Sequence, residues 1–184
     1  MKEISLNILD IAKNSTKAGA SLTQILLDET EDTLTLIIKD NGCGMNAETL
    51  RGVCDPFYTT RTTRKVGLGI PLLKLSAEQT DGSFQIESKA QEEFPEDHGT
   101  IVTAVFNKNH IDFTPLGDVT FSVVTLIQGD PQVDFLYVHN TPKGTVSLDT
   151  RELKAQLGDE IPLNTYEVIV WISEYLKEQY AALG

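Results

Sequence analysis

Two short runs rich in Leu, Ile and Thr, set four residues apart, constrain the fold of this chain more than any other feature. Leu22 to Asp28 and Thr33 to Asp40 read as strands, and Glu29-Thr30-Glu31-Asp32 joins them as the polar turn of a hairpin. Directly upstream the pattern changes period. Ile4, Ile8, Ile11, Ser15 and Ala18 fall on one helical stripe, while Asn7, Asp10, Asn14 and Lys17 fall on a neighbouring one. The chain should therefore open as a helix with a small-apolar packing face and a polar face beside it, ended by Gly19-Ala20-Ser21.

The same reading extends downstream. Asp40-Asn41-Gly42-Cys43-Gly44-Met45 is a turn by its glycines, and Asn46 caps a short helix through Val53. Cys54 to Val66 has no clean period and reads as a loop. A helix from about Ile70 to Thr80 follows Gly67-Leu68-Gly69, with Pro71 in its first turn, where a missing N–H costs nothing. Asp81-Gly82 breaks it, and Ser83 to Lys89 pairs with Thr100 to Asn107 around an acidic, solvated loop from Gln91 to His98. Val119 to Gln128 and Val133 to Asn140 read as strands, and Asp149 to Leu157 as a helix ending before Gly158. Asn164-Thr165-Tyr166-Glu167 has the form of a capping box for a last helix reaching about Leu183.

Composition narrows the function classes. No apolar run among the 184 residues approaches the roughly 18 of a membrane span, and the start lacks a signal peptide's charged and long apolar regions. A soluble cytoplasmic protein is expected, without membrane partners. A formal net charge of −12 argues against nucleic acid. Cys43 and Cys54 lack a nearby His for a zinc pattern and suggest free thiols in a reducing compartment. Within this acidic chain, Pro56 to Ala77 holds no Asp or Glu, yet carries Arg61, Arg64, Lys65 and Lys74. A local anion pocket and a plain solvated basic loop both fit that gap.

Four pieces could carry chemistry. Asp10 and Asn14 lie one turn apart and point the same way. An amide oxygen suits Mg²⁺, and a carboxylate one turn earlier could orient or deprotonate a water. Taken alone, the two residues read more simply as the solvated side of an amphipathic helix. Asp40 leaves an apolar strand and needs a hydrogen-bond partner if buried. An adenine amino group is one candidate and an ordinary Asp-Asn-Gly turn is the other. Gly67-Leu68-Gly69 before a helix could expose N–H groups to an anion. Gly99-Thr100, opening a strand, means nothing in isolation.

In order, however, these pieces resemble the GHKL ATPases, the superfamily of gyrase, the heat-shock chaperone, histidine kinases and MutL-type mismatch-repair ATPases. Asp10 to Ser21 resembles the MutL-type first motif, and Asp40 to Met45 the adenine-site motif. Asp55-Pro56-Phe57-Tyr58-Thr59-Thr60-Arg61, with Gly67-Leu68-Gly69-Ile70, resembles the histidine-kinase lid and phosphate loop. The likeness covers about residues 4 to 107.

The resemblance implies an α+β fold, a two-layer α/β sandwich of the Bergerat type. Its mixed, mostly antiparallel sheet would carry helices on one face. Residues 1–107 would form the ATP-binding domain; residues 108–184, beyond the resemblance, read as an extension with a β-hairpin and two helices that packs on or continues the sheet, with a separate small partner-binding domain as the alternative. The implied cofactors are ATP and Mg²⁺. Asn14 would hold the metal and Asp40 would receive the adenine amine, with Thr100 helping through water. Gly42, Gly44 and Met45 would border the base, and Lys17 would contact the nucleotide. Gly67, Leu68 and Gly69 would face the phosphates, and Thr60, Arg61, Arg64 and Lys65 would close from a mobile lid. Asp10 would be the catalytic base, although it is one methylene shorter than the Glu of many relatives.

The first motif starts almost at Met1, and His98, His110 and His139 fall late, on expected loops or a strand, so self-phosphorylation on a helical His is not expected. A histidine-kinase-like ATPase domain acting on an unidentified regulatory or substrate protein is therefore expected, somewhat like the anti-sigma-factor kinases. An ATP-gated interaction module and a domain that has lost nucleotide binding are the rivals. Whether the chain turns ATP over and whether it pairs as a homodimer are left open.

Overall fold

The computed structural model describes residues 3–55 and 68–184. The helix and hairpin expected at the start are present as α1 (Ile4–Lys17), β1 (Leu22–Glu29) and β2 (Thr33–Asp40). Ile4, Ile8, Ile11 and Ser15 of α1 are buried, as the stripe requires. Asn7 departs from the expected polar face. It is buried, and its amide nitrogen has no partner among the described residues. The first amides of α1 are satisfied from outside: Ile4 and Ser5 N–H donate to the carbonyls of Pro115 and Leu116.

Next come α2 (Ala47–Gly52), α3 (Gly69–Glu78), β3 (Ser83–Lys89) and β4 (Gly99–Asn107). Asn46 caps α2 as expected, accepting from Thr49 N at 2.8 Å. Beyond β4 lie α4 (Val119–Gly129), β5 (Asp134–Thr141), β6 (Gly144–Asp149), α5 (Thr150–Leu157) and α6 (Tyr166–Ala182).

All six strands form one sheet in the order β3-β4-β2-β1-β5-β6. Only the β1–β5 pair is parallel, so the sheet is mixed and mostly antiparallel. On its covered face, Ile25, Leu27, Leu34, Leu36, Ile38, Val102, Ala104, Phe106 and Phe135 are buried against α1, α3 and α4. The alternate residues, among them Gln24, Leu26, Thr35 and Ile37, are half-buried on the other face. α6 packs against α4 and beside β6. There the Gln179 amide bonds both the N–H and the carbonyl of Ser147, standing in for a further strand at that edge.

Two expectations are overturned. Val119–Gln128 is not a strand but most of α4. Its β-branched residues favour a strand locally, but β5 joins β1 in parallel. A parallel neighbour needs a crossover, which a helix supplies. Asp118 starts that helix by accepting from Phe121 N at 2.9 Å. The expected hairpin is instead β5–β6, closed by Pro142-Lys143. The second correction concerns α6. Thr165 is its N-cap but makes no cap bond, because its hydroxyl donates to the Pro162 carbonyl.

Candidate functional site

Sheet register brings two distant motifs together. Asp40, at the end of β2, lies directly opposite Thr100, near the start of β4. Asp40 is held on both oxygens: Ser15 Oγ donates to Oδ2 at 2.6 Å, and Gly42 N donates to Oδ1 at 2.9 Å. A carboxylate offers about four acceptor positions. Among the described residues two are used, which leaves capacity for a further donor.

Behind Asp40 the strand sides and helices leave an apolar hollow of about 200 Å³, lined by Ile11, Ile38, Val53, Ile70 and Val102. Asn14, Ser15, Ala18, Asp40, Gly44, Met45 and Thr100 complete its wall. Small-molecule sites usually measure roughly 300–1,000 Å³, so this volume suits a flat apolar ring rather than a whole nucleotide. A base there would leave its sugar and phosphates outside. Asn14, exposed on α1, stands at that edge with an amide oxygen suited to a hard cation. An acceptor and an exposed amide at one apolar hollow make a donor set compatible with Mg-ATP.

The turn after Asp40 is fixed from several sides. Asn41 Oδ1 accepts from Ser21 N and Leu22 N, locking the turn to the start of β1. Gly44 has φ +67°, and a Cβ on it would collide with the Lys89 carbonyl. Met45 N donates to Ser88 Oγ at 2.8 Å, and Ser88 in turn contacts Thr100 Oγ1 at 2.8 Å. Gln91 N donates to the Cys43 carbonyl, and His98 Nδ1 lies 2.5 Å from the Gly42 carbonyl. The residues of the acidic loop between them are indeed exposed, yet its two ends buttress the turn.

Sequence reasoning missed Ser15, Ser88 and His98 as members of this site. Ser15 had been placed on the packing stripe, and its other neighbour, Asp40, is 25 residues away. Ser88 and His98 carry no local signal, because only strand register places them here.

Several named residues lie elsewhere. Asp10 is exposed and does not line the hollow, although Gly69 approaches it: a Cβ on Gly69 would stand 3.4 Å from Asp10 Cβ. Lys17 is exposed in the last turn of α1. Leu68 precedes α3 and is largely exposed. Thr60, Arg61, Arg64, Lys65 and Gly67, and with them most of the expected lid, lie outside the described residues. Burial pushes the Cys54 thiol up, so it is not an activated nucleophile. Among the described residues no group of three or more His, Cys, Asp or Glu side chains could hold a metal. No helix there is long and apolar enough to cross a membrane.

Residues 1–110 match the family described as histidine kinase-, DNA gyrase B-, and HSP90-like ATPase. Over 94 residues the chain is 35% identical to the sensor protein SrrB of Staphylococcus aureus, covering 48% of this chain and 16% of that one. Over 89 residues it is 30% identical to a putative sensor protein of Shewanella frigidimarina, covering 48% and 14%. The chain thus spans about a sixth of the length of these relatives. Among solved structures, the N-terminal domain of a DNA repair protein superposes with a TM-score of 0.54 at 15% identity, covering 81% of this chain and 52% of that one. That likeness concerns the fold alone.

Proposed function

The chain belongs to the histidine kinase-, DNA gyrase B- and HSP90-like ATPase family, and from that premise we propose that it binds Mg-ATP at the Asp40 hollow. There it would act on a partner protein as a protein kinase or ATPase regulator. One observation carries the reading: a carboxylate with unused acceptor capacity sits at an apolar hollow sized for a base. The adenine amine would donate to Asp40, and apolar side chains would cover both ring faces. Asn14 would hold the cation, which supplies charge neutralisation at the phosphates when bound. The matched region ends near residue 110, which supports an ATP-binding domain over residues 1–107 and an extension over 108–184.

Calorimetry of the full chain with ATP tests the binding claim. Saturable binding that strengthens with Mg²⁺ and prefers ATP to GTP is expected. Absence of binding, or equal affinity for GTP, overturns it. Phosphate release and transfer of a labelled γ-phosphoryl group then separate turnover from binding alone. The second reading, an ATP-gated interaction module with little turnover, draws on Asp10. Its short carboxylate faces solvent rather than the hollow. A general base must come within hydrogen-bond reach of its water.

A further inference from the structure

Far along the sheet from Asp40, the extension carries its own recess. Leu153 and Leu157 of α5 face Val168 and Trp171 of α6 across a hollow of about 370 Å³. A second, of about 450 Å³, shares Leu153 and Trp171 and runs on to Tyr175, so the two form one trough. Trp171 and Tyr175 stack at 4.8 Å on its wall and are 48% and 37% exposed. Of the ten large apolar side chains exposed among the described residues, four lie between Ile161 and Tyr175. Two of them, Trp171 and Tyr175, line this recess.

The charged side chains that line it, Asp149, Glu152 and Glu167, are all acidic. Arg151 and Lys154 of α5 are occupied by Asp149 and Asp134. Glu152 and Glu167 line the trough, are exposed, and make no salt bridge among the described residues. We propose that this trough docks a basic amphipathic helix of a partner protein, with apolar anchors against Trp171 and Tyr175 and Lys or Arg opposite Glu152 and Glu167. Exposed Trp and Tyr in a recess are the side chains that dominate protein interfaces, and helix-in-groove docking reads an apolar stripe with charges beside it. An anionic membrane would be repelled by the same carboxylates. A second copy would set Glu152 and Glu167 against like charges. The proposal stands apart from nucleotide binding.

Trp171 is the single tryptophan of the chain, so its emission reports the trough directly. The probe is a synthetic helical peptide with Leu at i, i+3, i+4 and i+7 and Lys on the other face. The full chain should bind it with a saturable blue shift, at least tenfold tighter than the same peptide with Glu in place of Lys. The double change E152K/E167K should reverse that preference. E92K/E93K, which alters net charge equally on the exposed acidic loop, should leave affinity within about twofold. Equal losses in the two double variants would mean nonspecific attraction and overturn the proposal. So would an unchanged emission, a shift produced by phosphatidylserine vesicles, or a shift arising on self-association without peptide.

Discussion

Asp40 is already bonded on both oxygens before any ligand meets it, and this makes a substitution there informative. In Asp40→Asn the amide oxygen can still accept from Gly42 N, and the Ser15 hydroxyl can accept from the new NH₂. The turn should survive. What changes is the edge shown to the hollow, where a donor replaces part of an acceptor. Mismatching a buried polar contact costs roughly 1–3 kcal/mol, or about one to two decades in affinity. Calorimetry should find ATP binding weakened by that factor, with an unchanged melting curve. Equal affinity would remove Asp40 from the site. Asn14→Ala separates base from metal. It should weaken binding in Mg²⁺ more than in EDTA if the exposed Asn14 amide at the hollow holds the cation; equal losses would refute the metal role. Asp40, Asn14, Gly44 and Thr100, singled out by their motifs, come together around one hollow. Ser15, Ser88 and His98 were not singled out, because their partners are set by register and not by spacing.

Elements were read well where side-chain period and local propensity agreed. α1 is one such case, and the β1–β2 and β3–β4 hairpins are others. The reading failed at α4, where they disagreed. Val119, Thr120, Val123, Val124, Thr125 and Ile127 are β-branched and locally suit a strand. The crossover to a parallel β5 imposes a helix instead. The overlooked signs were Asp118 as a cap and a stripe through Val119, Ser122, Val123, Leu126 and Ile127, all buried. Because propensity opposes this helix, its start should matter. Asp118→Ala removes the acceptor for Phe121 N and should lower stability by about 1 kcal/mol, within a usual range of about 0.5–2. Urea denaturation checks this. A change below about 0.3 kcal/mol, against that same range, would mean the crossover is fixed by packing alone. At α6 the opposite error occurred. A capping-box pattern was present in sequence, but Thr165 serves the preceding turn, and tertiary packing of Ile172 and Leu176 holds the helix.

Across the whole molecule, one polar network joins regions far apart in the chain. Lys108 Nζ donates to Glu29 Oε1 at 2.8 Å, and His139 Nε2 lies 2.9 Å from Glu29 Oε2. A carboxylate only accepts, so Nε2 carries the proton. His139 Nδ1 lies 2.8 Å from the Tyr180 hydroxyl, which lies 2.5 Å from that of Tyr137. Burial pushes the Tyr137 phenol far up, so it keeps its proton. The network ties β1 to β5 and α6, and so joins the residues after the matched region to it at the end of β1 remote from Asp40. Burial pushes the Glu29 carboxyl up, but hydrogen bonds from Lys108 and His139 outweigh it and hold it below its usual range. A carboxyl depressed on folding contributes stability above its unfolded value, near about 4.3. That contribution is lost as pH falls through the folded value. Glu29→Gln should therefore cost about 1.5–3 kcal/mol at pH 7 and flatten the acid limb of the stability profile below about pH 5. Trp171, on α6, lets the loss be located. In the parent chain the Trp emission and far-ultraviolet transitions in urea should coincide. In Glu29→Gln the Trp transition should come first, because α6 loses its anchor through His139 and Tyr180. Coincident transitions with unaltered stability from pH 7 to 3 would show that strand pairing between β1 and β5 alone holds the extension in place.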